Sequence, residues 1–161
     1  MKGTLLRPSF VALALMFSGA VFAAGNHAHD GHATPAASAP IGMPGDPARV
    51  TRTVDIDMSD AMRFTPASID VKAGETVRLN VRNSGKIRHE LVLGTDADLQ
   101  AHYAMMMKDP GMRHEEANAV SLDAGKRGQI VWRFDKAGRV SFGCLEPGHY
   151  VAGMKGSVSV Q

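Results

Sequence analysis

Residues 141–154 read SFGCLEPGHYVAGM and place three different metal-binding side chains on one short segment. Cys144 offers a thiolate, His149 an imidazole and Met154 a thioether, and four residues separate each of them from the next. Soft sulfur ligands suit Cu(I), whereas imidazole binds copper in either oxidation state. We therefore interpret this segment as a loop after a β-strand that supplies three ligands to a copper ion.

A second histidine must come from elsewhere, because the recognised electron-transfer geometry has two histidines, one cysteine and a long, weak contact to methionine. His89 is the candidate, since it follows the turn residues 83–85 and opens the next apolar segment. Singly, each residue has an ordinary alternative as a buried cysteine, a surface histidine or a core methionine. Together they predict one mononuclear copper site with the ligands His89, Cys144, His149 and Met154.

Cys144 is the only cysteine of the 161 residues, which excludes an internal disulfide and the paired cysteines of a dinuclear copper site. Gly143 and Leu145 flank it, where multicopper oxidases have histidines that lead to a trinuclear cluster. Four protein ligands would leave no vacant position for a substrate. We therefore expect that the chain is not an enzyme by itself.

From residue 50 onward, short segments alternate apolar and polar residues and are separated by Gly, Asn or Pro. The clearest is residues 77–82, and similar segments are 50–57, 69–71, 87–93, 130–134, 140–144 and 158–160. This period of two is typical of half-buried antiparallel strands. Seven or so strands predict an all-β sandwich.

One segment, residues 95–108, predicts a helix inserted between strands. Thr95 and Asp98 have the spacing of a capping box, and Pro110-Gly111 would end the helix. We expect Met106 to pack inward, and the other methionines either to cover the copper-site end or to form a second Cu(I) site. The candidate residues of that second site are Met105, Met107, Met112 and His114.

The first 23 residues are typical of a secretory signal peptide. Lys2 and Arg7 precede the apolar run 10–24, and residues 21–23 end in the small residues that a signal peptidase recognises. The run is short for a membrane span, although a retained N-terminal anchor is the alternative. We expect export to the periplasm without stable membrane insertion.

Removal of those 23 residues leaves 138, the size of one domain, with 16 basic and 16 acidic residues. A balanced charge without a basic cluster argues against a nucleic-acid partner. It also gives no long-range field from which to identify a redox or copper-handling partner. We expect a monomer.

Residues 24–49 are rich in Ala, Gly, Pro and His and predict a disordered tail before a domain at 50–161. A short His-rich segment binds soft or borderline metals, but it is equally well a solvated tail with incidental affinity. Its candidate copper ligands are His27, His29 and His32.

The loop resembles that of the plastocyanin/azurin cupredoxins, which runs Ser-Phe-x-Cys, then Pro and His, then Gly-Met, before a last strand. Residues 62–66, 69–77 and 83–89 are also similar, so the resemblance covers about residues 50–161. It implies a Greek-key β-sandwich with one type 1 copper held by His89, Cys144, His149 and Met154. The His-rich tail and Met-rich insertion further resemble periplasmic cupredoxins linked to copper tolerance.

Two features depart from the family. The ligand loop is longer than that of plastocyanin, which leaves the colour and the reduction potential open. Glu90 follows the first ligand, where members often have an Asn that bridges to the loop. An ionised carboxylate cannot donate such a hydrogen bond, so the role of Glu90 is open.

These features predict a periplasmic type 1 copper protein, competent in one-electron transfer, that serves copper homeostasis or tolerance. The alternative is a dedicated soluble electron carrier between larger redox proteins. Extra copper-binding groups favour the first interpretation, because a pure carrier has no use for them.

Overall fold

The computed structural model of this chain describes residues 41–110 and 116–161. In this part the chain forms two five-stranded β-sheets and one α-helix, so the predicted β-sandwich with a helical insertion is confirmed. No helix of these residues is long and apolar enough to cross a membrane. The predicted features outside the described residues are the signal peptide at 1–23, His27, His29, His32, Met112 and His114.

In chain order the strands are β1 (Met43–Pro44), β2 (Arg52–Ser59), β3 (Arg63–Thr65), β4 (Ser68–Val71), β5 (Glu75–Asn83), β6 (His89–Gly94), β7 (Ala119–Leu122), β8 (Arg127–Phe134), β9 (Gly138–Gly143) and β10 (Lys155–Val160). A 3-10 helix at Pro47–Arg49 follows β1, and the helix α1 (Asp96–Met106) lies between β6 and β7.

The first sheet has the order β1-β8-β5-β2-β3 and the second the order β4-β10-β9-β6-β7. Most neighbours are antiparallel, but β2 pairs with β5, and β4 with β10, in parallel. The interpretation of the alternating segments as antiparallel strands therefore does not hold for these two pairs. Alternation shows which side chains of a strand are buried, but not the direction of the strand beside it.

The core lies between the sheets and is formed by the alternating apolar residues. On β5, Val77, Leu79 and Val81 are at most 1% exposed, as their alternation with polar residues predicts. Phe64 and Phe142 meet edge to face, with ring centroids 5.1 Å apart. This packed interior gives the ends of the strands a fixed frame.

Strand β6 is buried along its whole length, because it is covered on both faces. Leu91 and Leu93 belong to the core between the sheets, whereas Val92 packs in a second cluster with Leu99 and Met106 of α1. The helix thus completes the burial of the strand that carries His89.

The predicted capping box of α1 is confirmed. The Thr95 hydroxyl accepts from the backbone N–H of Asp98, and the Asp98 carboxylate accepts from the backbone N–H of Thr95. Met106 is buried as expected, whereas Met105 and Met107 are 42% and 50% exposed.

Residues 41–49 belong to the folded domain, and the prediction of a disordered tail as far as residue 49 is wrong for them. Strand β1 pairs with β8, and Ile41 is 2% exposed. The Trp132 indole N–H donates to the Ile41 carbonyl at 2.7 Å. The order of this segment depends on one buried side chain and a two-residue strand. So few residues leave no signal in a composition rich in Gly and Pro, which is why the sequence predicts disorder.

Candidate metal centre

The pairing of β6 with β9 brings two of the predicted ligands together at one end of the sandwich. His89 is the first residue of β6, and Cys144 directly follows the last residue of β9. His149 and Met154 lie in the connection from β9 to β10. The backbone N–H of Cys144 donates to the Met154 carbonyl, and the N–H of Met154 to that of His149, so the loop folds back on itself.

Three donor atoms converge at this end. The Sγ of Cys144 lies 3.2 Å from Nδ1 of His149 and 4.0 Å from Nδ1 of His89, and the two Nδ1 atoms are 3.2 Å apart. The point equidistant from all three lies about 2 Å from each, the length of a bond from a first-row transition metal to imidazole nitrogen. The size of the triangle and its one sulfur and two nitrogen donors therefore fit a single copper ion.

The site is buried except at one residue. His89, Cys144 and Met154 are 0% exposed, whereas His149 is partly exposed and is the member of the set that reaches the surface. The Met154 carbonyl accepts from the backbone N–H of Cys144, which places this residue next to one corner of the triangle. Its role as axial ligand stays a prediction.

Burial raises the pKa of the Cys144 thiol to about 12, against the effect of the backbone N–H groups of Glu90 and Glu146, which favour the thiolate. The Glu90 N–H lies 3.4 Å from Sγ. Without a metal ion the sulfur is therefore protonated at neutral pH, and a metal must displace that proton.

Burial lowers the pKa of His149, and the neighbouring His89 lowers it further. The imidazole is thus kept in the neutral form, which is the form that binds a metal ion.

Asp60 is part of this site, although no pattern in the sequence indicates it. Its Oδ1 lies 3.0 Å from Nε2 of His89, and its Oδ2 accepts from the backbone N–H of Lys86 at 2.8 Å. The Lys86 hydrogen bond and then the contact with His89 hold the pKa of Asp60 below its usual range. An ionised carboxylate therefore faces the far side of a buried imidazole.

Glu90 bridges the ligand loop to the neighbouring strand as an acceptor. Its Oε1 accepts from the backbone N–H of Leu145 at 2.9 Å, and its Oε2 from the Ser121 hydroxyl at 3.1 Å. An ionised carboxylate needs no proton for either bond. Glu90 therefore ties the residue after Cys144 to β7 through these two acceptor bonds.

Further contacts hold the loop between Cys144 and His149. Arg88, beside the first ligand, forms a 2.8 Å ion pair with Glu146. The Tyr103 hydroxyl of α1 accepts from the backbone N–H of Gly148 at 3.3 Å, and the rings of Tyr103 and Tyr150 are 5.5 Å apart. The helical insertion therefore supports the ligand loop directly.

Known proteins similar to this chain include copper proteins. The sequence profile of one family, described as copper binding proteins, plastocyanin/azurin family, matches residues 50–161. The chain is 47% identical over 171 aligned residues to the copper-resistant cuproprotein CopI of Rubrivivax gelatinosus, with 100% of both chains covered. It is 32% identical to the copper-resistant cuproprotein CopI of Pseudomonas aeruginosa, over 98% of this chain and 97% of that one. The solved structure of auracyanin B superposes with a TM-score of 0.62 at 27% identity, over 78% of this chain and 99% of the other.

Proposed function

Because this chain belongs to the plastocyanin/azurin family of copper-binding proteins, we propose that it serves copper resistance as an exported type 1 copper protein. His89, Cys144 and His149 would hold the ion, and Met154 would be a fourth, weaker ligand. The observation that carries the proposal is the triangle of one sulfur and two nitrogen atoms, whose sides are 3.2, 3.2 and 4.0 Å. The similarity to copper-resistant cuproproteins along the whole chain supports the resistance role.

Bound copper supplies the exchange of one electron between Cu(II) and Cu(I). The protein's part is to hold its donor atoms in one arrangement. His89 begins β6 and Cys144 directly follows β9, the strand paired with β6, and Glu90 and the Arg88–Glu146 ion pair fix the loop. Ligands that barely move between oxidation states keep the cost of reorganisation low, which suits electron transfer.

Export to the periplasm is the second part of the proposal. The basic start, the apolar run 10–24 and the small residues before position 24 support it. A full set of four protein ligands leaves no position for a substrate, which supports a role in binding and electron transfer rather than catalysis. A copper-handling protein or a redox protein would be the partner.

A dedicated electron carrier is the other candidate function. It is favoured by the partial exposure of His149, two residues before the exposed Val151, which offers a contact for a redox partner. This role predicts turnover with a partner and no effect on copper tolerance.

Growth under copper stress separates the two functions. A bacterial host that lacks its own copper-resistant cuproprotein should regain tolerance when it expresses the full chain, but not the Cys144→Ser variant. An equal rescue by both, at equal protein levels, would overturn the resistance role through this site. Failure of the wild-type protein to rescue, together with reduction and reoxidation by a partner, would support the electron carrier.

A further inference from the structure

The buried ring of His89 is held from both sides. Its Nδ1 faces the Sγ of Cys144 and the Nδ1 of His149, and its Nε2 lies 3.0 Å from the Asp60 carboxylate. His89 is 0% exposed, whereas the Asp60 side chain is 39% exposed. Asp60 therefore connects a fully buried ligand to the protein surface.

The chemistry of the two partners fixes the tautomer of the ring. A carboxylate only accepts hydrogen bonds, so Nε2 must carry the proton, and Nδ1 is left with a lone pair for the metal. We propose that Asp60 is the positioning residue for His89: its carboxylate sets the tautomer and orientation of the ring and favours Cu(II) over Cu(I). This inference deepens the proposed copper site and rests on it.

The local fold is built around this contact. The second oxygen of Asp60 accepts from the backbone N–H of Lys86, so the carboxylate is anchored independently of the histidine. Residue 85 is a glycine, and a Cβ atom there would overlap the Asp60 carboxylate. The parallel register of β2 and β5 places Met58 opposite Asn83. It therefore brings the segment after β2, which contains Asp60, next to the segment after β5, which contains Gly85.

The effect on the metal follows from the charge. A carboxylate that accepts from the far nitrogen of a ligating imidazole raises the basicity of the ligand, and loss of such a partner typically costs about 10- to 100-fold in metal affinity. Cu(II) gains more than Cu(I) from a more basic nitrogen and from a nearby negative charge. Asp60 should therefore lower the reduction potential of the site.

Four variants separate position from charge. Asp60→Asn keeps an acceptor oxygen but removes the charge, and Asp60→Ala removes both. Gly85→Ala keeps the charge but displaces the carboxylate. Asp57→Asn is the matched control, because it makes the same charge change three residues earlier, within β2, where the carboxylate accepts from the Ser84 hydroxyl.

Reduction potential, Cu(II) affinity and ¹⁵N NMR of the His89 ring in the copper-free protein are the readouts. Asp60→Asn should raise the potential above that of the wild type and of Asp57→Asn, with the visible band retained. Asp60→Ala and Gly85→Ala should bind Cu(II) about 10- to 100-fold more weakly and lose the fixed Nε2–H tautomer in the copper-free protein.

Equal shifts of the potential in Asp60→Asn and Asp57→Asn would overturn the proposal, because they would reduce Asp60 to one surface charge among others. An unchanged Nε2–H tautomer in Asp60→Ala would overturn the positioning role. If Asp60→Ala does not fold, Gly85→Ala gives the same test. If the wild-type protein binds no copper, the proposed function fails, whereas the NMR measurement still decides whether Asp60 fixes the ring.

Discussion

The hydrogen bonds of Glu90 give a prediction about folding stability that does not depend on the metal. In Glu90→Ala, the backbone N–H of Leu145 loses its acceptor inside a residue that is 0% exposed. The Ser121 hydroxyl also loses its acceptor, but it is only partly buried and water can replace the lost bond. A stranded buried N–H costs about 1–3 kcal/mol, so Glu90→Ala should lose about that much stability.

Glu90→Gln is the matched control. Its amide oxygen can accept from Leu145, and its NH₂ group can donate to the Ser121 hydroxyl, which rotates to accept. This variant should remain within about 1 kcal/mol of the wild type, because both hydrogen bonds are kept and only the charge is removed.

Urea unfolding of the copper-free protein, followed by tryptophan fluorescence, measures these free energies of unfolding. Trp132 is a suitable reporter because it is the only tryptophan of the sequence and is 2% exposed in the folded protein. A loss below about 0.5 kcal/mol in Glu90→Ala would contradict the reasoning, because a stranded buried N–H cannot cost so little. A Gln variant as unstable as the Ala variant would show that the charge of Glu90, and not its two acceptor bonds, is what matters.

Three further predictions concern the metal. Met154→Leu should retain copper and raise the reduction potential, because a weak axial thioether stabilises Cu(II) more than Cu(I); loss of copper binding in a potentiometric series would contradict the axial role. Copper uptake should release the thiol proton of Cys144, whose pKa is raised to about 12, so the affinity should rise about tenfold per pH unit at neutral to mildly alkaline pH. Calorimetry in buffers of different ionisation enthalpy measures that proton, and uptake without proton release would contradict the buried neutral thiol. A shortened chain that begins at residue 41 should lose only the weak copper sites of His27, His29 and His32. In the full chain these sites should release copper below about pH 6, because the imidazoles become protonated. Equal copper stoichiometry in both chains would leave the tail without a metal role.

The sandwich could be predicted from the sequence because the longer strands alternate buried apolar residues with polar ones. Val77, Leu79 and Val81 alternate with polar residues, and the structure buries all three. Strands β1, β3 and β7 have two to four residues each, which is too short for a period to appear. The parallel pairing of β2 with β5 depends on contacts between distant segments, and alternation within one strand does not contain them.

The ligand group could be predicted because three of its members lie within eleven residues and carry chemically distinct donors. Asp60 could not, because its position beside His89 depends on the register of β2 with β5 and on the space left by Gly85. The sequence shows that Glu90 replaces an expected Asn. Only the structure shows that two donors face its carboxylate, the backbone N–H of Leu145 and the hydroxyl of Ser121.

The most direct test of the account is the visible absorption of the Cu(II) protein, measured with its copper stoichiometry. The wild type should bind one copper tightly in this site and show an intense charge-transfer band from the Cys144 thiolate. Cys144→Ser should erase the band and leave the copper-free fold intact, as judged by its unfolding curve. A band of equal intensity in the Cys144→Ser variant would contradict the assignment of copper to this site.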